Sequence, residues 1–196
     1  MRLWIIGSLL MTLLVGEALA QDRSTPRWIA FGDIAYARTW DDEGLLGRGA
    51  GLTAGVGYRL TSRLHVQVLI QRIPYHRDIE YLNFDGRILF TGLEAAFQST
   101  KPKVRPIASV GVGVFNDDGV WIQKSIFNPL LPRVVTATSN RKYNLPAMTA
   151  SGGVDVRLSD RASIRTTVRF HGLLNTGDDA APHTIIQPGI GFAWRW

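Results

Sequence analysis

The sequence predicts an all-β chain folded as an eight-stranded antiparallel up-and-down barrel. Three observations predict it. Beyond residue 20, apolar residues recur with period two rather than 3.6, in eight runs that are long by soluble standards. The connections between these runs alternate between short and long. The last run ends GFAWRW and alternates throughout: Ile190, Phe192, Trp194 and Trp196 fall on one side, Gly189, Gly191, Ala193 and Arg195 on the other.

The first segment is different in kind. In MRLWIIGSLLMTLLVGEALA one Arg precedes an apolar run from Leu3 to Val15, and Ala18-Leu19-Ala20 puts small residues at the −3 and −1 places. That is the pattern of a secretory signal peptide, and the run is too short for a comfortable transmembrane helix. The expected organisation is a signal peptide over residues 1–20, cleaved after Ala20, and one barrel domain over 21–196. Cysteine is absent, which removes disulfides and thiolate metal sites.

The eight strands are expected at 27–38, 49–60, 63–74, 87–98, 104–116, 144–158, 161–173 and 183–196. Strand seven alternates most clearly, with Arg165, Thr167, Arg169 and His171 against Ile164, Val168 and Phe170. Strand three sets Leu64, Val66, Val68 and Ile70 against His65, Gln67 and Gln71. Short connections are expected at Leu60–Arg63, Ser99–Lys103 and Leu158–Arg161, and long ones at 39–48, 75–86, 117–143 and 174–182. Short turns at one end and long loops at the other is the pattern of a membrane-spanning barrel.

Alternation alone does not say which face is inside. A soluble exported barrel, with a ligand cavity, would turn the apolar face inward. A membrane barrel does the reverse, and three features favour it. All four Lys (101, 103, 124, 142) lie outside the expected strands, whose polar face carries Arg, the weakly hydrated cation suited to buried bidentate pairs. That face is also rich in Gly, at 55, 57, 111, 113, 153, 189 and 191. These would weaken a solvated strand, yet they make room for long side chains in a narrow lumen. Aromatic residues gather near the strand ends: Trp28, Tyr58, Phe97, Phe192, Trp194 and Trp196 towards the short turns, Tyr36, Trp40, Tyr75 and Phe170 towards the loops. Two such belts match two membrane interfaces.

A final strand of alternating apolar residues with a C-terminal aromatic resembles the signal read by the outer-membrane assembly machinery, although Phe is commoner there than Trp196. Together with the signal peptide and the eight strands, it resembles the small-barrel, porin-family superfamily of the OmpA transmembrane domain and OmpX. The resemblance covers the mature chain in architecture. It implies the outer membrane of a Gram-negative cell envelope, with outer-membrane lipids, lipopolysaccharide and the assembly machinery as partners.

The net charge of +6 is not gathered in one patch, and an exported chain rarely meets nucleic acid, so no nucleic-acid partner is expected. The lumen charge network is expected from Asp33, Arg59, Glu94, Arg105, Asp155, Arg157, Arg165, Arg169 and Arg195, with His65 and His171. It reads either as a structural plug or, since Arg outnumbers acid, as a narrow anion-favouring channel; eight strands leave little room for an open pore. An enzyme is not expected. Lipid A deacylases of this size resemble the chain and use a His with a Ser two residues on, but Leu173 stands where that Ser would follow His171. The palmitoyl-transferring barrels begin with an amphipathic helix, for which QDRSTP is too short. No cofactor or metal is expected: His65 and His183 lack ligand spacing, and the acidic clusters Asp41-Asp42-Glu43, Asp117-Asp118 and Asp178-Asp179 read as solvated loop tips. The loop 117–143 holds Trp121, Ile122, Ile126, Phe127, Leu130 and Leu131, and is the candidate contact for a surface partner.

Overall fold

In the computed structural model, residues 27–41, 44–79, 82–100, 103–123, 137–174 and 184–196 are described. They form eight strands: β1 (Trp28–Asp41), β2 (Gly44–Arg59), β3 (Leu64–Ile79), β4 (Leu82–Gln98), β5 (Val104–Gln123), β6 (Ala137–Arg157), β7 (Ala162–Leu173) and β8 (Thr184–Arg195). Each pairs antiparallel with its neighbours in sequence, and β8 pairs with β1 to close the barrel. Closure leaves no sheet edge. The seam is tied at its end by Trp28 N–H to Trp196 O and Trp196 N–H to Trp28 O, both 3.1 Å.

Two turns at the same end share one device. Thr61 Oγ1 accepts from the N–H groups of Arg63 (3.2 Å) and Leu64 (3.0 Å). Ser159 Oγ likewise accepts from Arg161 (3.3 Å) and Ala162 (3.0 Å). The hydroxyl stands in for a backbone carbonyl and tightens the reversal. Both turns fall where the sequence places them.

At the opposite end the strands outrun the sequence expectation. The loops expected at 39–48 and 75–86 are largely strand, and β5 and β6 stay paired from Val104↔Val156 out to Gln123↔Ala137. The sequence around His76-Arg77-Asp78 is polar on both faces, so period two disappears from the residue types while the backbone ladder continues. The β1–β2 arm carries a register shift between Thr39 and Trp40, where the Thr39 hydroxyl donates to Gly47 O at 3.0 Å. Trp121 and Ile122, expected in a loop, belong to β5 and pair with Ser139 and Thr138. Ile126, Phe127, Leu130 and Leu131 lie outside the described residues, as do residues 1–20 with the expected cleavage point.

The sides of the sheet are as expected for a membrane barrel. Ile34, Val68, Val110 and Ile190 are exposed on the exterior, while Asp155, Arg165, Arg169 and Arg195 are buried inside. Trp28, Tyr36, Phe97, Phe170, Phe192, Trp194 and Trp196 point outward and are exposed. Tyr58 is half-buried and meets Trp28 edge-on, ring centroids 5.0 Å apart. Tyr75 departs from this belt: it is buried in the lumen, where its hydroxyl donates to Asp117 Oδ1 at 2.9 Å. Asp117 is therefore an inward strand residue and not a solvated loop tip.

The interior has two layers. Towards the short turns it is mostly polar, with Ile29, Phe31 and Ala193 buried among the charged residues. Towards the long arms it is apolar: Leu69, Ile73, Ile88, Phe90, Phe115, Ala147 and Ile185 pack together.

Candidate functional site

The polar layer is built around two carboxylates. Asp155, on β6, has no exposed surface. Its Oδ2 lies 2.6 Å from Arg195 Nη2 and 3.4 Å from Arg165 Nη2, and accepts from Gln98 Nε2 at 3.0 Å. Arg195 also donates from Nη1 to Ser163 Oγ at 3.0 Å. The Arg165 guanidinium lies 5.0 Å from the Phe31 ring centre, a cation–π contact.

Glu94, on β4, is the second centre. Its Oε2 accepts from Gln67 Nε2 at 2.6 Å and Ser109 Oγ at 2.9 Å, and its Oε1 accepts from Thr149 Oγ1 at 3.2 Å. Arg169 Nε stands 3.4 Å from Oε1, and Arg169 Nη1 reaches to 4.0 Å from Asp33 Oδ2. Above it Gln71 donates to Thr53 Oγ1 at 3.0 Å and to Gln187 Oε1.

Glycine makes room for two of the acids. Asp33 pairs across the ladder with Gly191, and Glu94 with Gly111. A Cβ on Gly191 would lie 2.6 Å from the Cβ of Asp33, and one on Gly111 would lie 2.6 Å from Glu94 Cγ. The glycines on the polar face thus set the space in which the charges pair.

Among the sequence-predicted residues, Asp33, Glu94, Asp155, Arg165, Arg169 and Arg195 form this network. Arg59 and Arg105 are half-buried towards the short-turn end, with Arg105 opposite Asp155 in the ladder. Arg157 does not join the network: it pairs with Asp160 and donates from Nε to Ser159 O at 3.0 Å. The turn at the barrel mouth offers it a carboxylate three residues away, so the side chain folds back there. His65 is buried opposite Arg59. His171 is buried on the inner side of the sheet, edge-on against Phe90 (4.8 Å) and Phe115 (5.2 Å). Gln98, Ser109, Thr149, Ser163 and Gln187 are missing from the sequence-derived set, although parity along each strand places them on the Arg face.

Asp155 accepts through Oδ2 and Glu94 through both oxygens. Asp155 Oδ1 and the Nε atoms of Arg165 and Arg195 are buried without a hydrogen-bond partner among the described residues, so the layer is charge-paired but not fully satisfied.

No protein-family model matches the sequence, and no curated protein matches it. Solved structures do. Neisserial surface protein A superposes with a TM-score of 0.65 at 13% identity, over 86% of this chain and 97% of that one. The fold is that of a small outer-membrane β-barrel. A major outer membrane protein of Thermus thermophilus gives 0.58 at 11% identity, over 85% and 99% of the two chains. Ail, the attachment invasion locus protein of Yersinia pestis, gives 0.57 at 13%, over 88% and 99%. In a barrel of eight strands the interior is just wide enough to be filled by side chains, as it is here.

Proposed function

We propose that this chain is an exported bacterial outer-membrane protein with a structural or surface-interaction role, exerted through its exterior and its long-arm end. One observation carries the reading: the lumen is filled twice over. A solute following the Arg-rich layer would meet the pairs on Asp155 and Glu94, then the packed rings of Phe90, Phe115 and His171. These buried pairs and packed rings, among the described residues, weigh against the channel alternative. A lipid-modifying role is weakened by the position of His171, since a lipid ester lies outside the barrel.

Among the described residues the β5–β6 pairing is the longest, and the connection expected to contact a partner follows β5 in the sequence. The test uses outer membranes from cells making the full chain. A band that shifts on boiling, and no single-channel conductance after reconstitution, are the expected results. Extraction without detergent and without a heat shift would overturn the membrane reading. Ohmic conductance steps would favour the channel. Cells carrying a deletion of 124–136 should keep the heat shift and lose surface adhesion or detergent resistance; retention of both would remove the role assigned to that connection.

A further inference from the structure

Charges on the outside of the barrel are not spread evenly. Directly above the apolar band, at the long-arm end, Arg38 on β1 stands opposite Arg48 on β2 in the ladder, and both are exposed. Like charges facing each other across two strands repel, and the sheet gains nothing from the pair. Arg48 is in turn opposite His76 on β3, and Arg72 lies four residues below His76 on the same outer face. Arg38, Arg48 and Arg72 have no carboxylate partner among the described residues. Two neighbouring side chains do: His76 Nδ1 is 2.6 Å from Asp85 Oδ1, and Arg87 Nη2 is 3.0 Å from Asp118 Oδ2. A cleft of about 430 Å³ opens between Arg48, Arg72, Arg87, His76, Asp85 and Asp118.

A second cleft of about 430 Å³ lies lower on the same strands and is almost wholly apolar. Ala30, Ala54, Val56, Val68, Ile70 and Thr91 line it. Across β1 to β4 its row reads Gly32↔Ala54↔Ile70↔Thr91, with small residues beside larger ones. Arg72 is the next outward residue after Ile70, so the basic cleft begins where the apolar one ends.

We propose that these two clefts form one lipid site, which holds a diphosphorylated glycolipid of the lipid A type. One phosphate sits on Arg38 and Arg48, the other on Arg72, and an acyl chain lies in the apolar cleft below. The anion relieves the Arg38–Arg48 repulsion through charge-assisted hydrogen bonds of the kind guanidinium makes bidentately to phosphate. Arg72 is one inter-strand step from Arg48 and four residues along the strand, so their backbones stand about 14 Å apart at the usual strand spacings. That separation suits a headgroup with two phosphates better than a single phosphodiester. The site rests on the membrane reading above, with the long-arm end in the leaflet that carries such lipids.

The test is native mass spectrometry of the full chain released from vesicles of phosphatidylcholine doped with lipid A, with dephosphorylated lipid A, or with phosphatidylglycerol. Heat-shifted migration confirms folding in every sample. The chain should retain lipid A in preference to the other two dopants. Arg48→Gln with Arg72→Gln should lower retention at least about tenfold, the scale of a single charge-assisted bond, while Lys103→Gln at the opposite end should leave it unchanged. Ala54→Phe, which fills the lower cleft, should also reduce it. Equal retention of lipid A and its dephosphorylated form overturns the site, and needs no variant to fold. Equal retention by the double variant, or preference for phosphatidylglycerol, overturns it as well. Loss of the heat shift in the unaltered chain would bring down the membrane reading and the site together; a normal heat shift without retention brings down the site alone.

Discussion

Asp155 Oδ2 and Arg195 Nη2 lie 2.6 Å apart, and neither side chain is more than 2% exposed. The two residues sit on β6 and β8, with β7 between them in the barrel wall. Their contact therefore runs over the inner face of β7 and links strands that share no ladder. Removing one partner leaves a buried charge unpaired, and for such pairs that costs about 3–5 kcal/mol. Asp155→Asn should lower the urea midpoint of the folded barrel in detergent by the equivalent of that range. Asp155→Asn combined with Arg195→Met should lose less than the sum of the single changes. Additive losses would mean that the pair is not coupled.

Glu94 is held by three neutral donors as well as by Arg169. Glu94→Gln keeps the volume but turns one acceptor into a donor facing Gln67 or Ser109. The loss expected is about 1–3 kcal/mol for the unsatisfied group, read from the same unfolding curve. Gly111→Ala tests the space beside it. A Cβ there would lie 2.3 Å from Leu93 O, a backbone atom that cannot swing away. Overpacking of this kind costs about 1–3 kcal/mol, so a Gly111→Ala barrel as stable as the original would contradict the fit.

The apolar layer should behave as a core. Phe90 is fully buried and packs on Phe115 at 4.9 Å and on His171 at 4.8 Å. Phe90→Ala should destabilise by about 3–5 kcal/mol, measured by the shift in the temperature at which the folded band is lost. A loss below about 1 kcal/mol would mean that the rings are loosely packed and that this layer does not close the lumen.

How much of this is legible in the sequence depends on whether the two faces of a strand differ in residue type. In Ile164–His171 the faces are distinct, so Arg165, Arg169 and His171 are assignable to the lumen from parity alone. The pairing of Asp155 with Arg195 is not, because it depends on how far each strand slides past its neighbour, which residue types do not encode. In Ile88-Leu89-Phe90 both faces are apolar, since the inner one belongs to the upper layer; alternation vanishes there, and the apolar plug is hidden. Tyr75 and Asp117 are misplaced by sequence reasoning for the opposite reason. Around them both faces carry polar residues, and a strand that continues beyond the apolar band looks like a loop. Arg157 is on the inner face by parity, but its nearest carboxylate, Asp160, sits in the turn.

The Arg38–Arg48 pair yields a prediction whose sign depends on the solvent. In a zwitterionic detergent the two guanidinium groups face each other with no bound lipid phosphate between them. Removing one charge by Arg48→Gln should then leave stability unchanged or raise it by up to about 1 kcal/mol, the scale of a cross-strand charge pair. In vesicles containing lipid A the unaltered chain gains a bound phosphate, and any ligand held only by the folded state raises its stability. There Arg48→Gln should be the less stable form. The measurement is the pair of unfolding midpoints in the two media. The same ranking in both would mean that these arginines respond to nothing in the membrane; a reversal ties the repulsion in the ladder to the anion that relieves it.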